Sequence, residues 1–345
     1  REQVQNELGY PAEELFAEFS TEPIAAASIA QVHRAKLKSG EDVVVKIQRP
    51  AIANTIETDI DILMGLAYLV ENHLPAELII DPIAIVREFR RIIYRELDFT
   101  REAHTIDRFT ANFEGDDTVF VPQVYWDYTG PTVLTMSHVD GIKVSDFQKL
   151  RDENYNLSEI ARNGADSFLK QVLDFGLFHG DPHPGNIFIL PGNVICMLDY
   201  GMVGHLDDSL KYHLLDLILG VVERDTDRIV SQLLYSGDIS DETDRKQLKR
   251  DLAEFIDDYH EVPLQNLNTG KLMAQFIEIL QQHRIKFPPD LILLGKALVS
   301  MEGVGRQLDP GFNMVDHLRP FMEKLIKDRL SPGNVSREAL RIGQS

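Results

Sequence analysis

The chain has 345 residues, with the 43% hydrophobic content of a soluble globular protein, and 35 basic against 55 acidic side chains give a formal net charge of -20. That length supports two lobes with cores of their own. With no long basic stripe to offset it, the acidity excludes a nucleic-acid binder driven by phosphate contacts. A single cysteine, Cys196, rules out an internal disulfide framework, and its place in the apolar run Val194 to Leu198 marks it as a buried strand residue of an intracellular protein. No apolar run approaches the ~18 residues needed to span a bilayer. Ile62 to Val70 and Leu291 to Met301 read instead as core helices. The chain begins at Arg1 rather than at an initiator methionine, and so reads as a fragment or a processed form.

In chain order, residues 1 to 19 read as two short helices broken at Gly9-Tyr10-Pro11, with Val4, Leu8, Leu15, Phe16 and Phe19 as their apolar faces. From Ile24 to Gln48 the pattern is extended. Ala25, Ala26, Ala27 and Ser28 lie in a stretch of small residues, Gln31 to Leu37 alternates, Ser39-Gly40 turns, and Val43 to Ile47 is a buried strand carrying Lys46. A lysine there is costly unless its ammonium finds an anion. Lys46 either contacts nucleotide phosphates, as the strand lysine of the kinase pattern Val-Ala-Ile-Lys does, or snorkels from an edge strand. On the first reading the loop of Ala25 to Ser28 covers the phosphates. Alanines stand where kinases use glycines, and their Cβ atoms restrict the approach.

Residues 52 to 73 form a helical stretch with Ile60, Leu63, Leu66, Ala67 and Val70 as core candidates. A second helix runs from Pro82 to Phe109, opened by Asp81-Pro82. It carries Glu96, Asp98 and Glu102, each a candidate partner for Lys46 or part of a solvated acidic face. Val119 to Val124 and Thr132 to Val139 read as the last strands of the first lobe, turning at Thr129-Gly130. Met136 to Val139 is a linker whose backbone, at Ser137 and Val139, can hydrogen-bond adenine. Met136 lines that pocket or simply fills the core. The expected division is 1 to 139 as a first lobe and 140 to 345 as a second.

From Leu157 onward the chain is mainly helical. Ile160 to Phe178 reads as one amphipathic helix leading into His179-Gly180-Asp181-Pro182-His183-Pro184-Gly185-Asn186. A hairpin of Ile187 to Leu190 and Val194 to Leu198 then ends at Asp199-Tyr200-Gly201. In a kinase-like site with this spacing, Asp181 orients or deprotonates a nucleophile, while Asn186 and Asp199 hold Mg²⁺ against the phosphates of ATP. Oxygen ligands suit that hard cation. The alternative is two loops of ordinary Gly, Pro and Asp turn chemistry. His179 and His183 lack the spacing of a zinc site, and His179 is expected to pack and hydrogen-bond within its loop. Helices near 208 to 222, 226 to 235, 242 to 258, 271 to 283, 289 to 301 and 317 to 329 complete the second lobe. Arg245, Lys246, Lys249 and Arg250 read as a solvated helix face.

These motifs, from the alanine-rich run Ile24 to His33 through Val45-Lys46, Glu96-Leu97-Asp98-Phe99 with Glu102, the His179 loop and Leu198-Asp199-Tyr200-Gly201, resemble the UbiB family of atypical kinases, also called aarF-domain kinases. The resemblance covers about residues 1 to 330. It implies an α+β, protein-kinase-like bilobal fold, with a small N-lobe of antiparallel sheet plus helices and a larger, mainly helical C-lobe. It implies Mg²⁺ and ATP binding, ATPase activity, and a role in isoprenoid quinone (ubiquinone or coenzyme Q) biosynthesis or related membrane lipid metabolism. A lipid or quinone precursor and quinone-biosynthesis proteins are the implied partners, at the cytoplasmic face of a membrane. Carried over by residue, Lys46 contacts phosphates, Glu102 pairs with it, Asp181 is the catalytic acid, and Asn186 and Asp199 ligate Mg²⁺. Glu96 and Asp98 match a regulatory acidic pair that family members oppose with the lysine of a Lys-x-Gly-Gln motif. This chain starts after where that motif would lie, and stops before the membrane-spanning segment many members carry. Two further readings stand beside the ATPase: a protein or small-molecule phosphotransferase, and a nucleotide-gated scaffold with little chemistry.

Overall fold

The structure, a computed structural model, describes residues 1–71, 81–236, 244–260, 269–285 and 287–329. Gly9, with φ at +80°, ends α1 (Glu2–Leu8), and after α2 (Ala12–Leu15) the chain passes directly into β1 (Phe16–Ala26). Phe16 and Phe19, expected on a helix, therefore lie on a strand. Phe16 turns extended at φ -107°, ψ 147°, pairs with Leu37, and packs in a core with Val4, Ala12, Val43 and Val45. Aromatic side chains suit such a half-buried pleated surface.

The first unit comprises residues 1–115, 120–140 and 199–201. Its elements continue with β2 (Ala30–Leu37), β3 (Asp42–Gln48), α3 (Ile52–Glu71), α4 (Pro82–Glu96) and α5 (Phe99–Asn112). After β4 (Val119–Phe120), which is an edge strand of a sheet otherwise formed by the second unit, comes β5 (Val133–Ser137), which completes an antiparallel sheet in the order β1-β2-β3-β5. Of the core residues expected on α3, Ile60 and Ala67 are buried, whereas Leu63, Leu66 and Val70 are exposed, as are Ile62 and Leu69. Among the described residues this helix packs chiefly on α4, which covers only one stripe of its apolar second half, Ile62 to Val70.

The long helix expected from Pro82 to Phe109 is two. Leu97 and Asp98 interrupt it, because the Asp98 carboxylate accepts from the Thr100 amide at 3.1 Å and so caps a new helix, α5. The strand expected over Val119 to Val124 also divides. Thr118 accepts from the Ile195 amide within the second unit, while Val124 bridges Met136 of the first.

The second unit comprises residues 116–119, 141–198 and 202–345. It opens with β6 (Ile142–Lys143), α6 (Phe147–Asp152) and α7 (Leu157–Leu169). A π-helical segment, Lys170–Phe175, leads through Gly176 into β7 (Leu177–His179). The helix expected to reach Phe178 ends here, because Gly176 adopts φ +64° and a Cβ there would collide with the Leu206 carbonyl oxygen. The expected hairpin is present as β8 (Ile187–Leu190) and β9 (Val194–Met197), flanked by β6, and β10 (Val203–His205) pairs with β7.

Six helices follow among the described residues: α8 (Asp208–Glu223), α9 (Thr226–Ser236), α10 (Arg245–His260), α11 (Thr269–Gln282), α12 (Pro289–Leu308) and α13 (Met314–Arg329). Residues 242 and 243, where the third of these was expected to begin, lie outside the described residues. Leu217, Ile229, Leu233, Leu252 and Leu280 form a core shared by α8, α9, α10 and α11. Cys196 is fully buried on β9, and burial pushes its thiol up to about 12. Among the described residues no helix is long and apolar enough to cross a membrane.

Candidate nucleotide site

Alternation along β3 sends Val43, Val45 and Ile47 into the core with α1, α2 and β1, and leaves Val44, Lys46 and Gln48 on the opposite face. Gln48 uses that position to hold the break between α4 and α5, its Nε2 donating to the Leu97 carbonyl at 2.6 Å. The Phe99 amide donates to the Pro131 carbonyl at 2.9 Å. With the start of α5 pinned in this way, Glu102 in its first turn meets Lys46: Nζ donates to Oε2 at 2.8 Å. The side chains are 16% and 6% exposed. The Phe99 ring lies 5.2 Å from the ammonium, adding a cation–π contact.

Asp199 brings a second carboxylate, with Oδ1 3.5 Å from Lys46 Nζ and a side chain 56% exposed. Its backbone sits at φ +65°, a left-handed conformation that Asp tolerates better than most residues. Tyr200 anchors it, buried with its ring 4.8 Å from that of Phe109. Burial alone would lower the Lys46 pKa, but the charges of Glu102 and then Asp199 outweigh it and hold the ammonium protonated above its ordinary range. Burial pushes Glu102 up, Lys46 opposes that shift, and Asp199 adds to it. Lys46 is thus a fixed cation shared by one buried and one accessible carboxylate.

Of the expected loop, Ala25 and Ala26 are the last residues of β1 and pair with Val32 and Gln31 of β2, while the Ala27 amide donates to the Ala30 carbonyl at 2.8 Å across the turn. Arg49 ties the turn to the end of β3 through Nε to the Ala27 carbonyl, at 3.0 Å. All four residues from Ala25 to Ser28 are exposed. Met136 is buried on β5 opposite Val44, rather than in a linker. Ser137 also belongs to β5, and its amide already donates to the Gln123 carbonyl at 2.9 Å. Val139 follows the strand, half-buried. Glu96 is exposed at the end of α4, and Asp98 is the cap of α5, with Arg101 Nε 3.6 Å from its carboxylate.

In the second unit, the π-helical segment points Gln171 at the start of the Asp181 loop, where its Oε1 accepts from the His179 amide at 3.0 Å. His179 is fully buried, as expected for a packing residue. Its Nε2 donates to the Leu198 carbonyl at 3.1 Å, which leaves Nδ1 to accept from the Asp181 amide at 3.2 Å. The loop closes on itself through the Asn186 amide to the His183 carbonyl, and onto β9 through the Leu198 amide to the Asn186 carbonyl at 2.8 Å.

One face of α12 seats this loop. Leu293 fills the space where a Gly180 Cβ would sit, Lys296 Nζ lies 3.1 Å from Asp181 Oδ1, and Ser300 Oγ donates to the Pro182 carbonyl at 3.0 Å. Those positions follow helical spacing. Lys296 escaped sequence reasoning, although it is the sole charge in the apolar run Leu291 to Met301, and that isolation was the available signal.

Residues 1–233 match the ABC1 atypical kinase-like domain, and residues 252–313 match the UbiB helical domain. The chain belongs to the ABC1 atypical kinase-like family. A protein of Pseudomonas aeruginosa PAO1 described as probable protein kinase UbiB is 35% identical over 97% of this chain and 63% of its own length. An uncharacterized protein of Synechocystis sp. is also 35% identical, over 99% of this chain and 60% of its own. The chain thus spans about three-fifths of the length of these relatives. A Mycobacterium tuberculosis protein, Rv3197, solved with erythromycin, shares the fold with a TM-score of 0.63 at 20% identity, over 89% of this chain and 78% of that one. Lys46, Glu102, Asp181, Asn186 and Asp199 all lie in the ABC1 domain, whereas Lys296 comes from the UbiB helical domain.

Kinase-like families in general use nucleotide and a metal ion. The donor types suit both in kind: the Lys46 ammonium is a fixed cation for phosphate oxygens in the first unit, and the side-chain oxygens of Asn186, in the second unit, and of Asp199, in the first, are each of the hard type that Mg²⁺ takes.

Proposed function

We propose that this chain is an ATP-hydrolysing atypical kinase acting in isoprenoid quinone biosynthesis or related membrane lipid metabolism. The observation that carries the nucleotide part is the Lys46 ammonium, held 2.8 Å from buried Glu102 with accessible Asp199 beside it. On this reading Lys46 binds phosphate oxygens, Asn186 and Asp199 hold Mg²⁺, and Asp181 orients the attacking water, with Lys296 as an added cation. Bound Mg²⁺ would neutralise charge on the phosphates. The lipid part rests on the relatives named UbiB. A nucleotide-gated scaffold is the second reading, and the alanines at 25 to 27 favour it, because phosphoryl transfer depends on close positioning that a Cβ restricts.

Thermal unfolding with and without Mg²⁺-ATP tests the nucleotide part. Ligand at a hundred times its dissociation constant adds roughly 2.7 kcal/mol of stability. The expected result is a Mg²⁺-dependent rise in the midpoint that disappears in Asp199→Ala. No rise in the wild-type chain would refute nucleotide binding, and a rise without phosphate release would favour the scaffold.

A further inference from the structure

The helical unit contains a cavity of about 360 Å³, well beyond the water-sized voids of ordinary interiors and within the range of small-molecule sites. Its walls come from α7, the π-helical segment and α8 through α13, and include Phe168, Val172, Leu214, Phe255, Met273 and Phe276. Two lining residues, Glu302 and Asn313, are polar; every other one is apolar.

The charge on Glu302 is already met, since Arg306 Nη2 lies 2.7 Å from its Oε1. A carboxylate or phosphate head group would therefore lose its hydration without gaining a counter-charge. A hydroxyl both donates and accepts, and matches a balanced polar pair in an apolar wall.

Three features set this space apart from a packing defect. Val172 and Leu173 reach its wall from the π-helical segment, a rare geometry that recurs at functional sites. Met273 and Met314 supply adaptable surface. Gly295 keeps Met273 in the wall, because a Cβ there would lie 2.8 Å from its sulfur. Val221 and Ile292 line the cavity and are exposed, which gives it a mouth.

We infer that this cavity binds a single-chain lipid with an uncharged hydroxyl head, a long-chain or isoprenoid alcohol. The inference names a ligand class for the lipid part of the proposed function and is independent of its nucleotide part.

Equilibrium dialysis of the chain against radiolabelled dodecanol, without nucleotide, tests it, with octanol, decanol, farnesol and laurate as competitors. Affinity is expected to rise roughly fourfold per methylene, so about fifteenfold from decanol to dodecanol. Laurate should compete at least tenfold more weakly than dodecanol. Farnesol competing better than dodecanol identifies an isoprenoid tail, and the reverse an acyl tail. Val172→Phe and Leu214→Phe fill the space and should abolish retention while the unfolding midpoint holds. Glu302→Gln makes the site one charge more positive and should shift preference toward laurate. Absence of retention, a flat methylene series, laurate equal to dodecanol, or full retention in the folded Phe variants would overturn the inference.

Discussion

Two lysines in this molecule each touch an aspartate that the motifs single out, and they do so in opposite settings. Lys46, on a strand, is 16% exposed and gripped by buried Glu102, whereas Lys296, on a helix, is 58% exposed beside Asp181 at 35%. The first pair cannot trade its contact for water, so its geometry is set by the fold. The second can dissociate at little cost and re-form on another anion. A fixed cation suits a group that holds phosphate in place, and a loosely held one suits a group that follows charge as it moves.

Removing the buried cation sharpens that contrast most. Lys46→Met strands Glu102 and is expected to cost about 3–5 kcal/mol in urea denaturation, with Mg²⁺-ATP binding lost. Restoring part of that stability by adding Glu102→Gln would confirm that the stranded carboxylate is the cause. A cost below about 1 kcal/mol would place Lys46 in the same class as Lys296. Asp98→Ala removes the cap that starts α5, and is expected to cost about 1 kcal/mol and to weaken ATP binding by moving Glu102.

Asp116 offers a third ion pair, its Oδ2 2.6 Å from Lys170 Nζ. Burial raises its pKa, but the Lys170 ammonium with the Thr118 hydroxyl and amide outweighs it, so the folded value lies below the ordinary one of 3.8. Its stabilisation is therefore complete above the unfolded value and is lost as pH falls through the lower folded one. Stability measured below pH ~4 should fall less steeply in Asp116→Asn than in the wild-type chain. The smallest stability effect is expected for Lys296→Ala, within about 1 kcal/mol, together with at least a tenfold fall in ATP turnover. Unchanged turnover would make the Lys296 contact an incidental surface pair.

The order of motifs along the chain was legible because each rests on local chemistry: a lysine inside a Val-rich strand, a Gly-Asp-Pro turn, an Asp after an apolar run. The choice among Glu96, Asp98 and Glu102 was not, because all three lie within seven positions of one apparent helix. What separates them is the cap at Asp98, which breaks the periodicity and turns Glu102 toward β3. Tertiary neighbours decided the other differences. Leu63 and Leu66 look like core residues until α3 is seen to have mainly α4 for company. Phe16 follows a helical turn but pairs as a strand because Leu37 and Val43 are there to receive it. The π-helical segment continues directly from α7, and its run Lys-Gln-Val-Leu-Asp-Phe holds no Gly or Pro to mark the change.

Residues 199–201 cluster with the first unit although some sixty residues of the second precede them in sequence. An N-terminal fragment ending near Asp140 would therefore lack the Tyr200 ring that covers Phe109, along with the carboxylate that completes the Lys46 cluster. Exchange of parts between relatives faces the same constraint. A first unit transplanted without its own Asp199-Tyr200-Gly201 takes that tripeptide from the host, so grafts cut at a single point should produce mismatched chimaeras, while grafts that carry both pieces should fold as native.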